Sequence, residues 1–420
     1  MHLRLVTLLF CVGCSATAPA YFVDREFRRE ELVASLMNPA NDYSQLRLAH
    51  YATSDGSNWD LLPEWNPRSE RIELSELAGG VEPRVLGANA HAIAISDEAK
   101  RGDPSALAAL GEIAFFSFPL EIAPEAALAL QSVASTNRYG FWTHAEAGVA
   151  SIVRVEEDAA ATTLAYTCAT CHAAVHDGAL VVGLGNDQLE LGQLLVDSGN
   201  NQDAQVNAAL VAWGRGRLDV TTSNGREPVA ISDLRPTHDM SYLQHDATLA
   251  QRNLISLAIR VETLIITAHA QKDRPPREIA LALATYIWSL SATLENPPPP
   301  EEAGQRGQSL FERSCSGCHV PPTFTGPPVP LVDVGTDPTG GLSRVRGTGS
   351  YRVPSLRGVA DRRLLLHDAS LSSLESLFDP QRTAPTYQGG VRPGPVVGHA
   401  YTLAFDANER ADLIAFLRTL

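Results

Sequence analysis

Apolar positions recur at helical spacing in two places that mirror each other along the chain. In 277–292, Leu283, Tyr286, Ile287 and Leu290 fall at i, i+3, i+4 and i+7, the spacing of one helix face. In 408–420, Leu413, Phe416, Leu417 and Leu420 repeat that spacing, and Asp406 stands where an N-cap belongs. A third helical pattern covers 252–270. Residues 141–167 differ: β-branched residues alternate there, which predicts a β-hairpin. The pattern as a whole predicts a mainly α protein.

Shorter pieces repeat in the same order. Gly111-Glu-Ile-Ala-Phe115 matches Gly307-Gln-Ser-Leu-Phe311, and His245-Asp-Ala-Thr-Leu249 matches His367-Asp-Ala-Ser-Leu371. Each set closes on one of the mirrored helices. Three pieces in the same order point to an internal duplication, although the spacing between pieces differs in the two halves. Between the halves lies Asn296-Pro-Pro-Pro-Pro300-Glu-Glu. Four prolines stop a helix and form a stiff spacer. The expected organisation is therefore a first domain at 99–295, a linker at 296–303 and a second domain at 304–420. Residues 14–98 are expected to be an irregular segment of unknown role. Within them the Trp59–Trp65 stretch is expected to pack rather than act.

The chain begins with basic MHLR, a short apolar run LVTLLFCVG and then Cys14-Ser-Ala. That is the form of a secretory signal. More narrowly, 1–13 resembles a bacterial lipoprotein signal, with Cys14 as the lipid-bearing residue. Cys11 departs from the usual leucine. The alternative is an ordinary signal cleaved near Ala18 or Ala20. Either way the chain is expected to be exported to the periplasm, and by the first reading held at a membrane by the lipid on Cys14.

Composition narrows the function. In 420 residues, 33 Lys+Arg against 48 Asp+Glu leave a net charge of −15. No basic stripe is present, which argues against nucleic acid. A hydrophobic content of 44% excludes wholesale disorder. The acidity suits a basic redox partner, and equally serves solubility. After residue 20 no apolar run is long enough to span a membrane. Gly183-Leu-Gly185 lacks the third glycine of a dinucleotide fingerprint.

Beyond the leader, four cysteines remain, in two frames: Cys168-Ala-Thr-Cys171-His172 and Cys315-Ser-Gly-Cys318-His319. C-x-x-C-H is the attachment motif of c-type haem. Two thiols three residues apart reach the two vinyl groups, and the histidine that follows supplies the proximal nitrogen. A zinc knuckle or a dithiol redox pair explains neither histidine. Two covalently attached haem c groups are the expectation, with iron bound by His172 and His319.

The second half also carries Arg352-Val-Pro-Ser-Leu-Arg357 and then Leu-Leu-Leu-His367-Asp-Ala-Ser-Leu. These segments resemble the bacterial di-haem cytochrome c peroxidase and MauG superfamily. The resemblance covers most of 100–420 and is specific in the second half. It implies two cytochrome c-like helical domains in tandem with haems packed near their interface; the hairpin read from 141–167 is then an insertion in the first. It implies that one haem passes electrons to the other, and that the second reduces peroxide or oxidises a partner. It also implies a calcium ion between the domains, for which no loop here carries a recognisable ligand set. Arg357, and with it Arg352, is expected to pair with haem propionates. Two features of the family's peroxidases are missing. Thr248-Leu-Ala-Gln-Arg252 holds no glutamate, and 375–383 holds no methionine.

The second axial ligand decides what a haem does, because a closed site transfers electrons and an open one binds peroxide or oxygen. After the second motif only His367 and His399 are available, and His399 stands in the loop before the closing helix. His399 is the expected ligand, with His367 bonded to a propionate or backbone. For the first haem the candidates are Met240, His176, His238, His245 and His269, or an open site. The function expected is exported electron transfer to a redox partner protein. The alternative is a di-haem peroxidase or MauG-like oxidoreductase.

Overall fold

The structure, a computed structural model, describes residues 14–81, 84–156, 162–199, 203–219, 225–294 and 302–420. The leader 1–13 and nearly all of the proline linker lie outside the described residues, as do the side chains of 14–17, Cys14 among them.

Two helix pairs form the scaffold. In the first half, Pro104–Ser117 packs on Arg277–Ser289. Asp103 caps the first of these through Ala106 N, and Pro104 occupies the first turn, where its missing N–H costs nothing. In the second half, Ala303–Ser314 packs on Ala407–Leu417. Asp406 caps the latter, accepting from Asn408 N and Glu409 N while Glu409 bonds back to Asp406 N. The crossings repeat. A Cβ on Gly111 would stand 2.0 Å from Ala282 O, and one on Gly307 would stand 2.0 Å from Asp412 O. Phe115 then meets Tyr286 and Phe311 meets Phe416, each at 5.3 Å between ring centroids. The duplicated Gly-x-x-x-Phe thus serves one purpose twice: glycine admits the backbone and phenylalanine fills the space beyond it.

The 141–167 stretch folds as two hairpins. Thr143–His144 pairs with Gly148–Val149, and Val153–Glu156 pairs with Thr162–Tyr166. The second extends into a four-stranded antiparallel sheet, bordered by Ser69–Arg71 and Glu121–Ile122.

The N-terminal segment is a correction to its expected irregularity. It is helical at Cys14–Val23, Arg25–Ser35 and Asp42–His50. It shares one apolar cluster with the first half, in which Tyr21, Leu32, Tyr51 and Trp59 join Leu257, Ile265 and Ile287. The hydroxyls of Tyr21 and Tyr51 donate to fully buried Glu262 at 2.8 and 2.7 Å, and Arg277 lies on the same carboxylate at 3.2 Å. The segment also reaches the second half. Asn38 Nδ2 donates to Gly347 O at 2.8 Å and Tyr43 N to Val345 O at 2.8 Å, while Met37 N bonds Thr248 O. It therefore braces both halves. Trp59 and Trp65 pack as expected, Trp65 edge-on to His269 at 4.4 Å.

Charged pairs cross between the halves beside this brace. Asp233 is buried and holds Arg235 at 2.9 Å and Arg362 at 3.2 Å. Arg235 continues to Asp361 at 2.5 Å. Buried Arg346 meets buried Asp246 at 2.7 Å.

Candidate haem site

Both C-x-x-C-H motifs adopt the same local geometry. Each closes one helical turn, with His172 N on Cys168 O and His319 N on Cys315 O, both at 2.9 Å. Each histidine then donates Nδ1–H to a backbone carbonyl: His172 to Ser232 O at 2.9 Å, and His319 to Phe324 O at 3.1 Å. A carbonyl only accepts, so the proton sits on Nδ1 and Nε2 keeps its lone pair. This is the tautomer and the outer bond of a metal-ligating imidazole. Burial pulls His172 down to about 4 and lowers His319 as well, so both rings are neutral at pH 7.

Among the described residues no disulfide joins Cys168, Cys171, Cys315 or Cys318. Burial pushes Cys168 and Cys171 up to about 12 and Cys315 up to about 11. A dithiol redox pair needs the opposite shift. Among the described residues no three His, Cys, Asp or Glu side chains converge as a metal site. Neither rival reading of the motifs is supported.

A cavity of about 370 Å³ opens at the second motif, walled by residues of both halves. Cys315, Cys318 and His319 form one side, and His399 faces them with its ring centroid 6.3 Å from that of His319. With metal–nitrogen bonds of about 2 Å on either side, two imidazoles on one metal stand roughly 6 Å apart. The pair fits a haem iron between them. Burial, with His319 and Arg382 beside it, pulls His399 down to about 4 and keeps it neutral. Its Nδ1 is buried without a partner.

The wall also carries Arg352. Its Nη1 lies 3.6 Å from Met240 Sδ and its Nη2 3.2 Å from Ser232 Oγ, while Nε is buried without a partner. Burial and the neighbouring Arg362 pull Arg352 down to about 10. A cation in that state wants an anion, and a propionate is one. The residues at the second motif fit a haem in charge as well as in ligands.

The other expected residues are placed as follows. Met240, a candidate for the first haem, is buried on the wall of the cavity at the second motif. Cys168, Cys171 and His172 do not line that cavity. Arg357 does not line it either. Its Nη1 is on Asp239 at 2.6 Å and its Nη2 on Leu294 O at 3.2 Å, which ties the halves together. Arg352 and Arg362 stand on the wall instead. His367 lines the cavity and stacks on Tyr351 at 4.3 Å. His245 Nε2 is held by Ala230 O at 2.9 Å. His269 is bonded to Asp273 at 2.7 Å and His238 packs edge-on to Trp288. His176 lines the cavity with Nε2 unpartnered. Sequence reasoning missed Ser232, whose carbonyl holds His172, and Arg382, described below. Neither carries a motif signal, because each acts through backbone groups brought near by folding.

Residues 304–420 match the family model for cytochrome c. That stretch takes in the second motif, Arg352, Arg382 and His399. A cytochrome c domain binds haem c covalently, so the function is that of a haem cytochrome. Two solved structures are similar to the chain. One is a MauG-like protein associated with microbial copper homeostasis, 19% identical, with TM-score 0.36 over 49% of this chain and 78% of that one. The other is Kuenenia stuttgartiensis hydrazine synthase, 19% identical, with TM-score 0.29 over 46% of this chain and 73% of that one. The search of curated proteins gave no match.

Proposed function

We propose that the protein is an exported di-haem c-type cytochrome that carries electrons. Cys168 and Cys171 hold one haem and Cys315 and Cys318 the other, with His172 and His319 as proximal ligands. The observation that carries the reading is the facing pair His319 and His399, 6.3 Å apart. A haem held between these two histidines would supply one-electron transfer. The chain's own part is to hold that group. His319 is oriented by Phe324 O; His399 and Arg352 line the same cavity, where His399 would hold the group from the other side and Arg352 would offset its carboxylate charge. The closely repeated geometry of the first motif supports a second haem at His172.

The reading extends to place and partner. Export follows from the leader, with the lipid on Cys14 as the anchor. Among the described residues no helix is long and apolar enough to cross a membrane. A net charge of −15 suits a basic electron carrier as partner.

A second reading, a peroxidase or MauG-like oxidoreductase, has one observation in its favour. Among the described residues no imidazole ring faces His172 as His399 faces His319. An open sixth position there is where peroxide would bind.

Peroxide and carbon monoxide separate the two. Holoprotein made in a host that matures c-type haem is expected to carry two haems per chain. Its ferric spectrum is expected to ignore peroxide, and its ferrous spectrum to ignore carbon monoxide. A response by one haem, with turnover of peroxide, replaces the carrier with the enzyme.

A further inference from the structure

We propose that Arg382 is the positioning residue that keeps His399 on the iron of the second haem. The inference rests on the reading of His319 and His399 as an axial pair.

Arg382 is fully buried, at 0% exposure. Its guanidinium donates to Leu377 O at 3.0 Å, Val396 O at 2.5 Å, Gly398 O at 2.7 Å, His399 O at 3.2 Å and Thr402 Oγ1 at 3.3 Å. Among the described residues no carboxylate lies within ion-pair distance of it. Burying a cation without a counter-charge is expensive. Here one rigid fork gathers the carbonyls on both sides of His399. What that arrangement fixes is the loop carrying the ligand.

The loop needs fixing. His399 has φ +49°, a left-handed conformation that a residue with a Cβ adopts at a cost. Gly398 before it has φ +88°, and a Cβ there would stand 2.4 Å from Thr336 Cα. His399 N is held by Val334 O at 2.8 Å. Such backbone persists only where its surroundings over-determine it.

The contrast with the proximal histidines decides the matter. A metal-ligating imidazole is ordinarily oriented by a bond from its other ring nitrogen. His172 and His319 have that bond, to Ser232 O and Phe324 O. His399 Nδ1 has none. Its direction is therefore imposed through its backbone, which Arg382 grips at Gly398 O and His399 O, alongside Val334 O on His399 N and Thr402 on His399 O.

The test is an imidazole titration of the full-length ferric holoprotein, followed by the visible spectrum of the second haem. In wild type, exogenous imidazole has to displace His399 and binds weakly. In Arg382→Met the internal ligand is held about 10- to 100-fold less firmly, the usual effect of losing an outer-shell partner. Imidazole is then expected to bind tighter by the same factor. Arg382→Lys keeps the charge but loses the fork, and is expected to shift less in the same direction. Haem content and circular dichroism verify that each variant is folded. His399→Ala sets the scale for an open site. If His399→Ala opens the site while Arg382→Met titrates like wild type, the role of Arg382 is overturned. If Arg382→Met does not fold, a wild-type titration of Arg382→Lys overturns it equally. If His399→Ala itself titrates like wild type, the axial-pair reading fails instead.

Discussion

His319 and His399 face each other at 6.3 Å, and only His319 has a ring hydrogen bond of its own. One ring is fixed by its own hydrogen bond and the other through its loop. On the proposed reading the two sides of the second haem would be held with unequal rigidity, and ligand exchange would fall on the His399 side.

The two glycines at the helix crossings give a matched pair of predictions. Gly111→Ala and Gly307→Ala each drive a Cβ against a carbonyl 2.0 Å away. Each is expected to cost at least about 1–3 kcal/mol, the usual penalty of overpacking. Denaturant unfolding followed by haem absorbance in each half checks this. Gly307→Ala is expected to weaken haem retention in the second half and spare the first, and Gly111→Ala to do the reverse.

The repeat was legible in the sequence because each of its parts is local. Gly111 and Phe115, or Gly307 and Phe311, lie on one helix, and their spacing survives in the text. The C-x-x-C-H frames are visible in the sequence for the same reason, and His399 stands out there as one of two histidines after the second frame. The brace at 14–50 was not, because its anchor joins Tyr21 to Glu262 across 241 residues. Arg357 and Arg352 look alike in the sequence. Only the approach of Asp239 separates them, turning Arg357 into an interface pair.

That brace is itself testable. Glu262 is fully buried and accepts from two tyrosines while facing Arg277. Tyr21→Phe or Tyr51→Phe each removes one hydrogen bond to a charged group, and is expected to cost about 1.5–3 kcal/mol. Glu262→Gln leaves Arg277 only Asp60, which Arg25 and Arg28 share, as a counter-charge, and is expected to cost less than the roughly 3–5 kcal/mol of a fully orphaned buried charge. Thermal unfolding of the three variants ranks them.

The interface between halves has a defined pH dependence. Burial alone would raise Asp233, but Arg362 and Arg235 more than offset it and hold the carboxyl below its ordinary value. A depressed carboxylate contributes stability that is complete above the unfolded pKa, about 3.9. That contribution is lost as pH falls through the folded value. Denaturation midpoints are therefore expected to keep this contribution down to about pH 4 and lose it below. Asp233→Asn is expected to remove it at pH 7, at about 3–5 kcal/mol, and to flatten the acid limb.

Arg352 is a cation on the cavity wall, and among the described residues no carboxylate is bonded to it. A positive charge near the iron favours the reduced state. Arg352→Met is expected to lower the reduction potential of the second haem while leaving its low-spin spectrum unchanged. Potentiometric titration of the holoprotein reads both.

The central claim is that His319 and His399 close the second haem from both sides. Electron paramagnetic resonance of the ferric holoprotein, wild type beside His399→Ala, tests it most directly. The account predicts a low-spin signal from the second haem in wild type, replaced by a high-spin signal in the variant. A high-spin second haem in wild type, or a low-spin signal that survives the loss of His399, would contradict it.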